Sequence, residues 1–124
     1  MATLTAQKIK DLGTVATMTA ATNGGDEFLN TGLEFLFFQN AHASASYDVV
    51  VAAQVTNIHH QNFGTVVKEN IVRSVAAGAE VFIGPFKQAA FNDSNHKVQI
   101  TYQQSGAAVD PADMNVAALY LDQQ

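Results

Sequence analysis

The chain has 124 residues, a formal net charge of -5 and only 14% charged residues, against about 25% in an average globular domain. Its six Lys and Arg residues are scattered along the sequence, which excludes the clustered basic surface that reads a DNA or RNA backbone. Cysteine is absent, so no disulfide framework or thiolate metal site is available, and no apolar run approaches the roughly 20 residues of a membrane span. A chain of this length predicts one domain with a single core. Ala, Thr, Ser, Asn and Gln take the place of the missing charges. Such a neutral polar skin sheds water at lower cost than a charged one, so it suits close packing against protein neighbours.

The first segment, "TAQKIKDLG" (Thr5 to Gly13), has helical grammar. Thr5 is placed to cap, Ile9 and Leu12 fall three apart on one face, and Gly13 is placed to stop the helix. Two turns are marginal alone, so the same residues read equally well as an extended arm. Residues 1–25 are therefore assigned to an N-terminal arm, short helix or added strand, and residues 26–124 to the main domain. "MATLTAQKIKDLG" lacks the apolar centre of a signal peptide, and the expectation is a protein made in a cytoplasm or in something assembled there. Asn23-Gly24-Gly25 is a strong turn, not a phosphate loop, because no Lys-Ser/Thr follows it.

The aromatic part of the chain begins near Phe28. "LEFLFFQN" (Leu33 to Asn40) is apolar on both faces, with Phe35 and Phe37 opposite Leu36 and Phe38, the pattern of a strand covered on both sides. "SYDVVVAAQV" puts Tyr47, Val49, Val51, Ala53 and Val55 on one face. Thr56 to Gly64 reads as a polar loop, and Thr65 to Val75 as two short strands or one bulged strand. In "VAAGAEVFIGPF" (Val75 to Phe86), Ala76 to Gly78 is a turn and "EVFI" a strand. Val81 and Ile83 point to the core there, while Glu80 and Phe82 point outward or onto a neighbour. Pro85, with no N–H, ends the ladder. Asn92 to Asn95 turns into "VQITY", where Val98, Ile100 and Tyr102 face in, and "MNVAALYLD" supplies a last strand through Leu121. About seven short strands with turn signals, and no helix long enough for a parallel crossover, predict an all-β antiparallel sandwich, jelly-roll or immunoglobulin-like.

The order of these elements resembles a group of small tailed-bacteriophage virion proteins. It rests on Asn30 and Gly32, Phe35 to Asn40, Ala43 to Val51, Val75 to Phe86, Phe91 to Asp93, Val98 to Tyr102 and Val116 to Leu121, with "AGAEVFIGPF" the most particular element. It runs from about Gly24 to Leu121. The resemblance implies a β-sandwich that decorates or cements a capsid, often as a trimer bound to the major capsid protein, and hence a location on the virion. From charge and hydropathy, neither nucleic acid nor a membrane is expected as partner, and no cofactor is expected.

The polar residues point to no catalytic constellation. His59 and His60 are adjacent, so on an extended chain their side chains diverge, and neither His42 nor His96 stands at ligand spacing from them. They read as loop histidines able to titrate at an interface. Asp26-Glu27 and Asp110 with Asp113 resemble a calcium or acid–base pair only loosely, and "DPAD" is more economically a turn. Phe35, Phe37, Phe38, Phe82, Phe86, Phe91 and Tyr102 read as core. Phe63, alone in a polar loop, reads as an interface anchor or as a ring folded onto the sandwich edge. The candidate interface residues are thus Leu4, Ile9, Leu12, His59, His60 and Phe63. A head–tail, tail or fibre-base protein is the alternative role. A carbohydrate-binding module ranks below both, since the chain has no Trp, and no residue set supports an enzyme.

Overall fold

Strict alternation decides the layers. In Lys97–Gln104 the side chains of Val98, Ile100 and Tyr102 are buried while Gln99, Thr101 and Gln103 remain half-exposed. A strand built this way packs one face and wets the other. The structure, a computed structural model, describes residues 1–54, 57–60, 64–67 and 69–121. In chain order its elements are β1 (Ala2–Leu4), β2 (Gln7–Ile9), β3 (Thr19–Ala20), β4 (Asp26–Leu29), β5 (Phe35–Asn40), β6 (Tyr47–Val51), β7 (Asn57–His60), β8 (Gly64–Val67), β9 (Ile71–Val75), β10 (Glu80–Ile83), the one-turn helix α1 (Gln88–Phe91), β11 (Lys97–Gln104), β12 (Ala107–Ala108) and β13 (Met114–Leu121).

Two sheets pack into a β-sandwich. The first runs β1-β4-β11-β6-β9, with β12 on β11; the second runs β10-β5-β13-β2, with β3 on β13; β7 and β8 form a separate hairpin. Phe28, Val49, Val51, Val98 and Ile100 from the first sheet meet Leu36, Phe38, Met114 and Val116 from the second, all fully buried. The rings of Phe38 and Tyr102 meet edge-on across the layers at 6.3 Å. Each such side chain contributes about 1.5–3 kcal/mol on burial.

The pairing is antiparallel except for the two N-terminal strands. β1 lies parallel to β4, and β2 lies parallel to β13. The N-terminal segment thus sends one strand to the edge of each sheet. The helical alternative for Thr5 to Gly13 is not adopted, since Gln7–Ile9 is a strand. Two isolated turns gain little, whereas the free edge of β13 offers backbone partners to Gln7, Lys8 and Ile9. The predicted loop over Thr56 to Gly64 is also corrected. Asn57–His60 pairs with Gly64–Val67, a ladder that needs only backbone groups. Thr65 to Val75 is divided between β8 and β9.

Buried polar side chains fix the turns. Asn40, fully buried, donates from Nδ2 to the carbonyls of Ala45 (2.9 Å) and Val75 (3.0 Å), while its Oδ1 accepts the His42 N–H. Asn30 donates to the Phe86 carbonyl and to Asn92 Oδ1, and Asn92 donates back to the Asn30 carbonyl. The Glu34 carboxylate accepts the Thr31 N–H and hydroxyl. Around β10, Gly78 supplies the left-handed turn (φ +76°) and Gly84 the exit (φ +115°).

Candidate functional site

The register sorts the outward side chains of the two sheets into different chemistries. On the first sheet, Thr3, Glu27, Lys97, Gln99, Thr101, Gln103 and Asp48 turn away from the core. Lys97 and Glu27 pair there at 3.1 Å, and Thr3 donates to Glu27. This face is ion-paired, and the same register also turns Leu29, Val50 and Val72 outward, with Leu29 and Val72 exposed.

On the second sheet, β5 directs Phe35, Phe37 and Gln39 outward, β13 directs Asn115, Ala117, Leu119 and Leu121 the same way, and β10 adds Glu80 and Phe82. Glu80 is the charged residue among these, and it sits at one end accepting from Gln39 at 3.2 Å. Phe82 is 64% exposed and Leu121 61%. Phe82 stands between two rings of β5, 4.6 Å from Phe37 and 6.1 Å from Phe35. The result is a row of aromatic side chains on a face with little charge.

Two hollows flank the row. One, of about 230 Å³, is lined by Ile9, Thr14, Ala16, Phe37, Phe82 and Leu119. The other, of about 160 Å³, is lined by Gly32, Leu33, Phe35, Pro85 and Leu121. Gln7 holds the chain that forms the rim of the first. Its side chain donates to the Thr17 carbonyl and accepts the Thr17 N–H, both at 2.8 Å, like a short ladder. Thr14 Oγ1 accepts the Lys10 N–H and donates to the Lys8 carbonyl. The rim carries Leu12 and Val15, 97% and 94% exposed.

The sequence candidates separate here. Ile9 lines the first hollow, and Leu12 stands on its rim segment. Leu4 is buried in the core opposite Phe28, so its side chain is not on the surface. His59 and His60 lie on β7, with their side chains outside what is described, and Phe63 lies outside the described residues. Of the aromatics expected in the core, Phe38, Phe86, Phe91 and Tyr102 are there. Phe35 and Phe37 are half-buried, and Phe82 is exposed. The signal for Phe82 was its parity with Glu80 in "EVFI": what one residue does in a strand, the second neighbour does too.

The polar candidates resolve into structural roles. Asp26 and Glu27 point to opposite faces of β4, so they form no carboxylate pair. His42 Nδ1 accepts the N–H groups of Ser44 and Ala45. Pro111 and Asp113 carbonyls accept from Met114 and Ala41, closing the "DPAD" turn. Among the described residues no three His, Asp or Glu side chains come together to hold a metal, and no helix is long and apolar enough to cross a membrane. Compared with known proteins, the chain matches no family model, no curated protein and no solved structure.

Proposed function

We propose that this chain is a virion structural protein, a decoration or cement protein that seats the outer face of its second sheet on the major capsid protein of a tailed-bacteriophage head. The observation that carries this reading is the difference between the two outer faces. One carries the Lys97–Glu27 ion pair, with Leu29 and Val72 exposed on separate strands; the other gathers Phe35, Phe37 and Phe82 in one row, with Phe82 and Leu121 exposed, between two apolar hollows. Aromatic anchors flanked by pockets are what a docking surface needs, and exposed apolar patches of this kind mark interaction sites. The resemblance in "AGAEVFIGPF" and its flanking strands directs that surface toward a capsid. Three copies joined as a trimer engage several capsid subunits at once, so modest single contacts add through effective concentration.

The test uses purified capsids of the cognate particle with and without the protein. Binding in many copies, with the temperature of shell rupture raised, is the expected result. Unchanged rupture and no co-sedimentation reject the reading, and a single ring of copies at the neck moves the role to head–tail completion.

A further inference from the structure

The turn into β4 is built on the doublet Asn23-Gly24. Residues 22–25 form a β-turn closed by the Gly25 N–H, which donates to the Thr22 carbonyl at 2.9 Å. Gly24, at its third position, has φ +94°, a value that a residue with a Cβ rarely adopts. The turn therefore demands a glycine directly after Asn23. Both residues are exposed, and a Cβ built on Gly24 would meet nothing. Neither the Asn23 side chain nor the Gly24 N–H has a hydrogen-bond partner among the described residues. Asn30, Asn40, Asn70 and Asn92, by contrast, have their side chains engaged in hydrogen bonds. No other asparagine in the chain precedes a glycine.

An unengaged side-chain amide beside an unengaged, unhindered glycine N–H is able to cyclise. The Gly24 nitrogen attacks Asn23 Cγ and gives up its proton, the Cγ–Nδ2 bond breaks, and the amide nitrogen leaves as ammonia. Water then opens the succinimide ring. Attack at Cγ yields ordinary aspartate. Attack at the main-chain carbonyl carbon yields isoaspartate, whose main chain runs on through Cβ and Cγ and is longer by one methylene. Water is the one co-reactant, and nothing is oxidised or reduced.

The surroundings of the turn give the longer chain a structural effect. The Thr22 N–H donates to the buried Asp26 carboxylate at 3.1 Å. The Gly25 carbonyl accepts the Ala2 N–H at 3.2 Å, at the start of the ladder that holds β1 on β4. Gly25 is buried, and a Cβ there would run into the Ile100 carbonyl, so the turn has no room to shift toward β11. An added methylene must be taken up between Thr22 and Gly25, where it breaks the bond that closes the turn.

We propose that Asn23 is a site of spontaneous modification, deamidating through a succinimide with Gly24, and that its isoaspartyl product loosens β1 from β4. This chemistry does not depend on a capsid role.

The experiment ages the full chain at neutral and at mildly acidic pH and maps its peptides by mass spectrometry. The peptide holding Asn23 should gain the mass of water minus ammonia, faster at the higher pH because the attacking nitrogen must lose its proton. Isoaspartate should be present in that peptide alongside aspartate. Asn95, exposed but followed by His96, is the internal control and should lag far behind. Amide hydrogen exchange should then be faster at Leu4, Thr22 and Gly25 in the isoaspartyl form. It should be unchanged in Asn23→Asp, which adds the charge without the methylene. Should Asn23→Asp fail to fold, the unaged chain is the reference. No gain at Asn23, an equal gain at Asn95, aspartate as the sole product, or exchange in the isoaspartyl form equal to that of the reference overturns the proposal.

Discussion

Tyr102 and Asp26 show how one hydrogen bond couples burial to pH. Burial, the hydrogen bond to Asp26 and that carboxylate's charge together hold the Tyr102 phenol far above its ordinary value near 10. The folded state therefore keeps its proton where the unfolded chain releases it. This contribution is complete below about pH 10 and is lost as pH rises beyond it, by at most about 1.4 kcal/mol per pH unit. Tyr102→Phe should cost about 1–3 kcal/mol at neutral pH, because Asp26 loses a buried partner. Denaturant melts of both proteins at rising pH should then converge above pH 10; parallel curves would disprove the coupling. Asp93 works in the other direction. The Lys97 N–H, the Gln99 side-chain amide and the Asn95 N–H hold its carboxyl below the usual range. Its contribution is present above the ordinary carboxylate value of about 4 and is lost as pH falls below it.

At the scale of elements, the turns around β10 and the N-terminal strands are the places where single changes discriminate. Gly78 and Gly84 both have positive φ. A Cβ on Gly78 meets open space, whereas one on Gly84 comes within 2.9 Å of the Phe86 ring and 3.2 Å of the Phe35 backbone. Gly78→Ala should therefore cost only the left-handed strain, about 1–2 kcal/mol. Gly84→Ala should cost measurably more in the same chemical-denaturation assay. Leu4 and Leu12 give a second contrast. Leu4→Ala empties part of the core and should cost about 2–4 kcal/mol, while Leu12→Ala, at a position 97% exposed, should stay within about 0.5 kcal/mol. Equal effects would mean that β1 is not held against β4.

The whole molecule is a sandwich whose second sheet alone gathers a row of aromatic rings on its outer face among the described residues. Phe82→Ser removes the most exposed ring of the apolar face. It should change stability by no more than about 1 kcal/mol, the worth of its aromatic contacts. If the proposed capsid role holds, it should nevertheless abolish co-sedimentation with capsids. A matched change on the opposite face, Thr101→Ser, should leave co-sedimentation intact. If both variants bind alike, the docking face is elsewhere.

Much of this architecture was legible in one dimension. Alternation in "VQITY" and "SYDVVV" names the inward residues because a strand has a period of two, and that rule needs no partner. The turn at Gly78 and the end of the ladder at Pro85 are equally local, since they follow from backbone geometry. What tertiary structure alone decided is non-local. Gln7–Ile9 becomes a strand only because β13 leaves an edge free for it. Leu4 becomes core only because β4 brings Phe28 opposite. Period two puts Phe35 and Phe37 on one face and Phe82 beside Glu80, but with "LEFLFFQN" apolar on both faces it does not tell which face is the core, nor that the three rings stand side by side. Their adjacency depends on the register of β10 against β5, set by residues more than forty positions apart. The same holds for Asp26: a sequence shows a carboxylate, and only the pairing of β4 with β11 makes it a buried one, with Tyr102 on one oxygen and no hydrogen-bond partner among the described residues on the other.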